Sequence, residues 1–309
     1  MIVVSASQRT DIPAFYSRWF MQRVRAGFAE VKNPYSAQVY RVSLLPEDVH
    51  AIVFWTKNFA PMIKHLDELD ARGLDFYVQY TINGFTLDER TRPMEARVPR
   101  PEIVLRGFRA ITERYSRQHV LWRYHPITFS QVCTPEWHLQ KFAELAEMLA
   151  GLTERCVVGF HDSMKKVDRN MGLLPRELHA YEPPVETQIQ VIREMARIAG
   201  GVGITLQTCA EDFAALGAVE GGGLVERGSC IDKGLLDRLW PHKAQAMAAY
   251  PSREQCGCYH NRDLGQYDTC LHQCAYCYAV NSHQVALQRY KSHDPLNDTR
   301  NAPYKPPVE

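Results

Sequence analysis

From the second residue to about residue 210, short β-branched or aromatic runs alternate with longer stretches whose apolar residues recur at intervals of three and four. The runs Ile2 to Ala6, Val39 to Val42, Ala51 to Trp55, Phe76 to Thr81, Val120 to Tyr124, Cys156 to Phe160 and Val202 to Thr208 predict strands. Between most of them, Tyr16 to Ala26, Pro61 to Arg72, Pro101 to Tyr115, Pro135 to Leu149 and Pro184 to Ile198 predict helices. Several open on a proline, which the first helical turn tolerates because its missing N–H would have no partner there. Strands alternating with helices require right-handed crossovers and a parallel sheet, so the pattern predicts an α/β fold built as a partial or full parallel β/α barrel. A doubly wound open sheet is the alternative, weakened because no GxGxxG follows the first strand. Gly221-Gly222-Gly223 reads as a flexible loop, after which the alternation stops and the chain is predicted helical to about Tyr250. The resulting division is a barrel over residues 1–250, a cysteine-rich segment over 251–292 and an extended or disordered tail over 293–309.

A 45% hydrophobic and 23% charged composition changes little in this picture, since it is that of an ordinary globular protein with a large core. The net charge of +1 supplies no global field for nucleic acid, membrane or an acidic partner. No basic leader precedes Ile2-Val3-Val4 and no 18 apolar residues run together, so a cytoplasmic chain without a membrane partner is expected. Nine cysteines in a reducing compartment are better explained by metal ligation and burial than by disulfides.

Five of the nine fall between Cys256 and Cys277. Cys270, Cys274 and Cys277 form CxxxCxxC with Tyr276 immediately before the last cysteine, a spacing that wraps three thiolates around three corners of a [4Fe-4S] cluster. Structural zinc is the competing reading, with His272, Cys258 or Cys256 as a fourth ligand, although zinc sites favour paired CxxC knuckles and only Cys274 to Cys277 has that spacing. Cys209, Cys230, Cys256 and Cys258 make a second full ligand set, a candidate for a second [4Fe-4S] cluster if the C-terminal loop folds over the barrel mouth. Buried apolar thiols at Cys209 and Cys230 are the bland alternative, and Cys133 and Cys156 lie outside either set, with Cys156 a core residue.

Working residues of parallel β/α folds sit at the carboxyl ends of the strands. Here those positions are polar: Ser5, Ser7 and Arg9; Thr56, Lys57 and Asn58; Gln79, Thr81 and Asn83; Arg123 and His125; His161 and Asp162; Gln207, Thr208 and Glu211. Lys57, Arg123 and His125 are the catalytic candidates. An inward Arg123 needs an anionic partner, for which Asp11 or Glu211 is expected. Lys57 and Asn58 have the alternative of capping and solvating a loop, and Asp263 and Asp268 flank the cysteine loop where they can anchor it through backbone N–H groups.

The CxxxCxxC spacing with its aromatic resembles the radical S-adenosylmethionine (SAM) superfamily. The resemblance implies a radical SAM/TIM-type barrel, a fourth iron free to chelate SAM, reductive cleavage of SAM to a 5′-deoxyadenosyl radical, and hydrogen abstraction from a substrate. It implies an external electron donor such as flavodoxin or ferredoxin. SAM would be held by Tyr276, packed near adenine, and by Thr56, Asn58, Gln79, Thr81 and Glu211. That superfamily usually places its motif after the first strand. The motif here is late, so the loop has to fold back over the barrel mouth.

Over its whole length the chain is more similar to an uncharacterised cysteine-rich family catalogued only as a domain of unknown function. The similarity lies in Ser7-Gln-Arg-Thr-Asp-Ile-Pro, Phe54-Trp-Thr-Lys-Asn, Trp122-Arg-Tyr-His-Pro-Ile, Thr208-Cys-Ala-Glu, Cys230-Ile-Asp and Asp263-Leu-Gly through Tyr278-Ala. His125 stands where Asp is expected in the third of these. A weaker similarity, through Arg123 to Ile127, runs to spore photoproduct lyase-type enzymes and implies nucleic-acid repair, with Arg123, Lys165 and Lys166 as local basic residues. The alternative to both enzymes is a barrel whose zinc or fully ligated cluster serves binding or redox sensing.

Overall fold

Burial on both faces explains why the strands read as near-continuous apolar runs. The computed structural model describes residues 1–34, 36, 38–209, 217–251 and 256–296. Strands β1 (Ile2–Ala6), β4 (Val49–Thr56), β5 (Phe76–Thr81), β6 (Val120–Ile127), β7 (Arg155–Phe160), β8 (Thr205–Thr208), β9 (Val225–Arg227) and β10 (Arg262–Asp263) form one eight-stranded sheet in the order β10-β1-β4-β5-β6-β7-β8-β9. Every neighbouring pair in it is parallel.

Alternate side chains sort onto the two faces. Val4, Ile52, Phe54, Val78, Trp122 and Leu206 pack against helices, among them α5 (Pro101–Arg114), α6 (Pro135–Leu149) and α8 (Val185–Gly201), through Phe108, Phe142 and Ile192. Val3, Ala51, Val53, Tyr77 and Leu121 belong to a second apolar cluster with Leu235 and Leu236 of α9 (Lys233–Leu239), Ile231, Trp240 and Cys258. This arrangement corrects the full-barrel form of the expected partial or full barrel. A small closed barrel fills its interior with its own inward side chains, whereas here later chain takes that place, and β9 and β10 are left as unpaired edges.

Four further expectations change. Val39 to Val42 is not part of the sheet: it lies in β3 (Val39–Ser43), which pairs antiparallel with β2 (Phe28–Lys32) in a separate hairpin. Both strands expose alternate residues, which suits a half-solvated antiparallel ribbon and not a sheet buried on both faces. The helix expected over Pro61 to Arg72 breaks at Lys64 and His65 into α3 (Ala60–Ile63) and α4 (Leu66–Ala71). The stretch to Tyr250 is not continuously helical, because α9 ends at Leu239 ahead of Pro241 and 244–250 form no helix. The triple glycine is a hydrogen-bonded turn packed against α8 and not an open loop, all three residues having positive φ, and a Cβ on Gly223 would meet the Ala196 carbonyl oxygen at 2.2 Å. The segment 251–292 supplies β10 to the sheet and a terminal helix α10 (His283–Lys291). The expected tail lies outside the described residues from 297 onward.

A buried histidine makes the core acid-sensitive. His138 donates from Nε2 to the Thr128 carbonyl at 3.0 Å, and its Nδ1 lies 2.8 Å from the Tyr124 hydroxyl. Burial pushes its pKa down from 6.5 to about 4. A folded pKa below the unfolded one means that the unfolded chain binds the extra proton. Stability is therefore full above pH 6.5 and is lost as pH falls toward 4, by up to about 3 kcal/mol from this residue. Thermal melting between pH 7 and 4.5 should show the fall, and His138→Gln should flatten it; an equal slope in both proteins removes His138 as a cause.

Candidate functional site

Strand β10 brings the C-terminal cysteine loop back to the first strand. Ser5 is in register with Asp263, whose carboxylate accepts from the Ser5 hydroxyl (2.7 Å), the Ser7 hydroxyl (3.0 Å) and the Gln8 amide (2.8 Å). It also accepts from Arg9 Nε (3.0 Å) and the Gly265 amide (2.7 Å). A Cβ on Gly265 would stand 1.8 Å from Ser7 Oγ. Gly265→Ala is accordingly expected to destabilise the chain by about 1–3 kcal/mol, read as a lower denaturation midpoint at unchanged m-value. A midpoint equal to wild type would show that Ser7 rotates away without loss.

Beyond Gly265 the loop crosses the carboxyl ends of the strands. Asp268 holds its two ends together by accepting from the Asn281 (2.5 Å) and Ser282 (3.3 Å) amides, while the Tyr16 hydroxyl donates to the Thr269 carbonyl. On the other flank, the Arg97 amide donates to the His272 carbonyl, the Ala275 amide donates to the Met94 carbonyl, and Glu95 and Cys274 form an antiparallel bridge.

This path places Cys270, Cys274 and Cys277 on the wall of one cavity of about 210 Å³. Burial pushes the Cys270 thiol up to about 12, the Cys274 thiol well above its ordinary value, and Cys277 upward too. A thiolate here therefore needs a cation beside it.

Two buried polar networks frame the cysteines. Asp11 accepts from the Thr56 hydroxyl (2.8 Å), the Lys57 amide (2.7 Å) and His272 Nε2 (2.7 Å), and caps α1 (Ile12–Phe15) through the Ala14 amide. His272 Nδ1 is left buried with no hydrogen-bond partner on the cavity wall. The second network centres on Glu95, which is 1% exposed. It accepts from Lys57 Nζ (2.6 Å), Asn83 Nδ2 (3.1 Å) and the Tyr276 hydroxyl. Burial works against the Lys57 ammonium, but Glu95 and Cys274 outweigh it and hold its pKa above the ordinary value. Glu95 escapes sequence reading because it sits in an irregular loop with no periodic signal, and only the Cys274 bridge brings it to the site.

The predicted strand-end residues divide between two places. Ser7, Arg9, Thr56, Lys57, Thr81, His125, His161, Asp162 and Tyr276 line the cavity with the three cysteines. Asn58 does not: its side-chain oxygen accepts from the Ala60 amide at the start of α3, the loop-capping alternative. Gln207 donates to Glu226, Thr208 is fully buried, and Glu211 lies outside the described residues.

Gln79 and Arg123 belong with the other cysteines. Gln79 Nε2 donates to the Cys230 carbonyl at 3.0 Å, and Arg123 Nη1 to the Cys230 sulfur at 3.0 Å. Sulfur thus takes the role expected of Asp11, which is engaged by His272 and Thr56; the reason is register, since Arg123 shares a face of the sheet with Gln79 and Tyr77 beneath the Cys230 loop. Cys209 and Cys230 have their sulfurs 3.7 Å apart, Cys230 also contacts the Cys258 thiol, and Cys258 the Cys256 thiol. Among the described residues no three or more His, Cys, Asp or Glu side chains already form a closed site for a single ion. Cys156 is buried in the main core, and Cys133 in a smaller apolar cluster that also takes in Ala275 and, at its margin, Tyr276 of the cysteine loop.

A family model described as Domain of unknown function (DUF1848) matches residues 3–279. No curated protein matches the chain. Among solved structures, the carboxyl transferase domain of Rhizobium etli pyruvate carboxylase with pyruvate aligns at 14% identity and a TM-score of 0.27, over 75% of this chain and 40% of that one. A likeness of that size carries no argument.

Proposed function

The chain belongs to the DUF1848 family, and from that premise we propose that it is a radical SAM-like enzyme whose [4Fe-4S] cluster is held by Cys270, Cys274 and Cys277. One observation carries the reading: all three cysteines of the CxxxCxxC motif wall a single cavity at the carboxyl ends of parallel strands, where polar residues converge. Three thiols and the Lys57 cation fit a group with an electron-rich sulfur shell. When bound, the cluster would supply the electron that splits SAM into methionine and a 5′-deoxyadenosyl radical. An open parallel sheet lined in this way is compatible with the partial barrel expected of that enzyme class.

The chain's own residues have separable tasks. Cys270, Cys274 and Cys277 give up their protons to become ligands, and Lys57 offsets the negative charge this creates beside Cys274. Asp11 fixes His272 between two of those cysteines. Tyr276, with its hydroxyl on Glu95 and its ring 5.8 Å from that of Phe85, is a flat wall for an adenine. Thr81, His125, His161 and Asp162 face the cavity as polar groups for the amino-acid end of SAM or for substrate. The loop from Gly265 to Ala279 closes the cavity on one side, limiting the water that would quench a radical.

The test is reconstitution without oxygen using iron and sulfide, followed by SAM and dithionite. The expected product is 5′-deoxyadenosine. A filled cluster that yields none sinks the proposal.

A further inference from the structure

The second cysteine set is a different kind of site. We propose that Cys209, Cys230, Cys256 and Cys258 bind a single zinc ion in a tetrahedral thiolate shell, rather than a second iron–sulfur cluster.

Sulfur spacing decides between the two. Zinc–sulfur bonds of about 2.3 Å place tetrahedral ligands about 3.8 Å apart, and Cys209 and Cys230 already stand at 3.7 Å. Ligands of a cubane sit on separate irons and are spread across the width of the cluster. The contacts from Cys209 to Cys230, Cys230 to Cys258 and Cys258 to Cys256 form a chain that an ion would draw into a closed shell.

The surroundings are those of a charged sulfur centre. Arg123, 6% exposed, directs Nη1 at Cys230 Sγ, and the Cys230 amide donates to Cys258 Sγ at 3.3 Å. Four thiolates around a divalent ion carry a net charge of −2, which gives the buried guanidinium an anionic partner. The ligand loops are also fixed from outside. Tyr77 Oη and Gln79 Nε2 donate to the Cys230 carbonyl, and the Ser229 hydroxyl donates to the Gly257 carbonyl, linking the two loops. An ion there would tie the ends of β8 and β9 to the chain covering the sheet.

The measurement uses full-length Cys270→Ala/Cys274→Ala/Cys277→Ala protein, which lacks the first set, so its result is independent of the SAM reading. Purified without oxygen, this protein is expected to hold about one zinc per chain. After chelation and cobalt loading it should show the intense visible bands of tetrahedral thiolate cobalt. Arg123→Gln, with all four ligands intact, is expected to weaken metal binding by roughly 10- to 100-fold. Iron with sulfide and a broad charge-transfer spectrum in the triple variant would overturn the proposal in favour of a second cluster. So would a folded triple variant that takes up neither zinc nor cobalt.

Discussion

Replacing Lys57 with Met is expected to lower stability by about 3–5 kcal/mol, because removal of one partner of a buried ion pair leaves the other charge uncompensated. Glu95 is 1% exposed, and neither Asn83 nor Tyr276 brings a positive charge to replace the ammonium. Urea denaturation should show the midpoint falling at unchanged m-value. Lys57→Met/Glu95→Leu should recover much of the loss, since a well-packed apolar pair avoids the cost of burying charge. A loss under about 1 kcal/mol in the single variant would mean that the pair behaves as a solvated surface bridge. The same substitution removes the cation beside Cys274, so a reconstituted cluster should become harder to reduce. That second readout separates a role in the site from one confined to folding.

Serine at Cys270, Cys274 or Cys277 is expected to abolish cluster loading and 5′-deoxyadenosine formation together, because three ligands are the minimum that leaves one iron for SAM. Iron and sulfide content, visible absorption and product should fall to background while far-ultraviolet circular dichroism stays unchanged. Alanine at Cys156 is the control: its thiol is fully buried in the main hydrophobic core. A Cys274→Ser protein that retains full product formation would exclude this cysteine as a ligand and with it the proposed mechanism.

The strands and long helices were legible where the signal was local. Both-face burial made β4 to β7 into continuous apolar runs, and Pro135 marked the start of α6, where the structure adds a cap: the Thr134 hydroxyl accepts from the Trp137 amide. Val39 to Val42 has the composition of a sheet strand, but composition does not say which strand it pairs with, and the hairpin partner Phe28–Lys32 was invisible beside the helix before it. β9 and β10, three and two residues long, are too short to carry a period. At the site, the grouping of Cys270, Cys274 and Cys277 on one wall was legible because their spacing is a sequence property. The Glu95 network and the Arg123–Cys230 contact were not, because each depends on which loops meet after folding.

The pairing of Ser5 with Asp263 also orders events in time. The chain through Asp263 must leave the ribosome before the first strand meets its edge neighbour, and contacts of such sequence separation form slowly. The cavity wall is thus among the last parts of the protein to exist. During synthesis β1 waits with one edge uncovered, exposed to mispairing with other chains. The proposed cluster could therefore be seated only after the chain through Ala279 has been made.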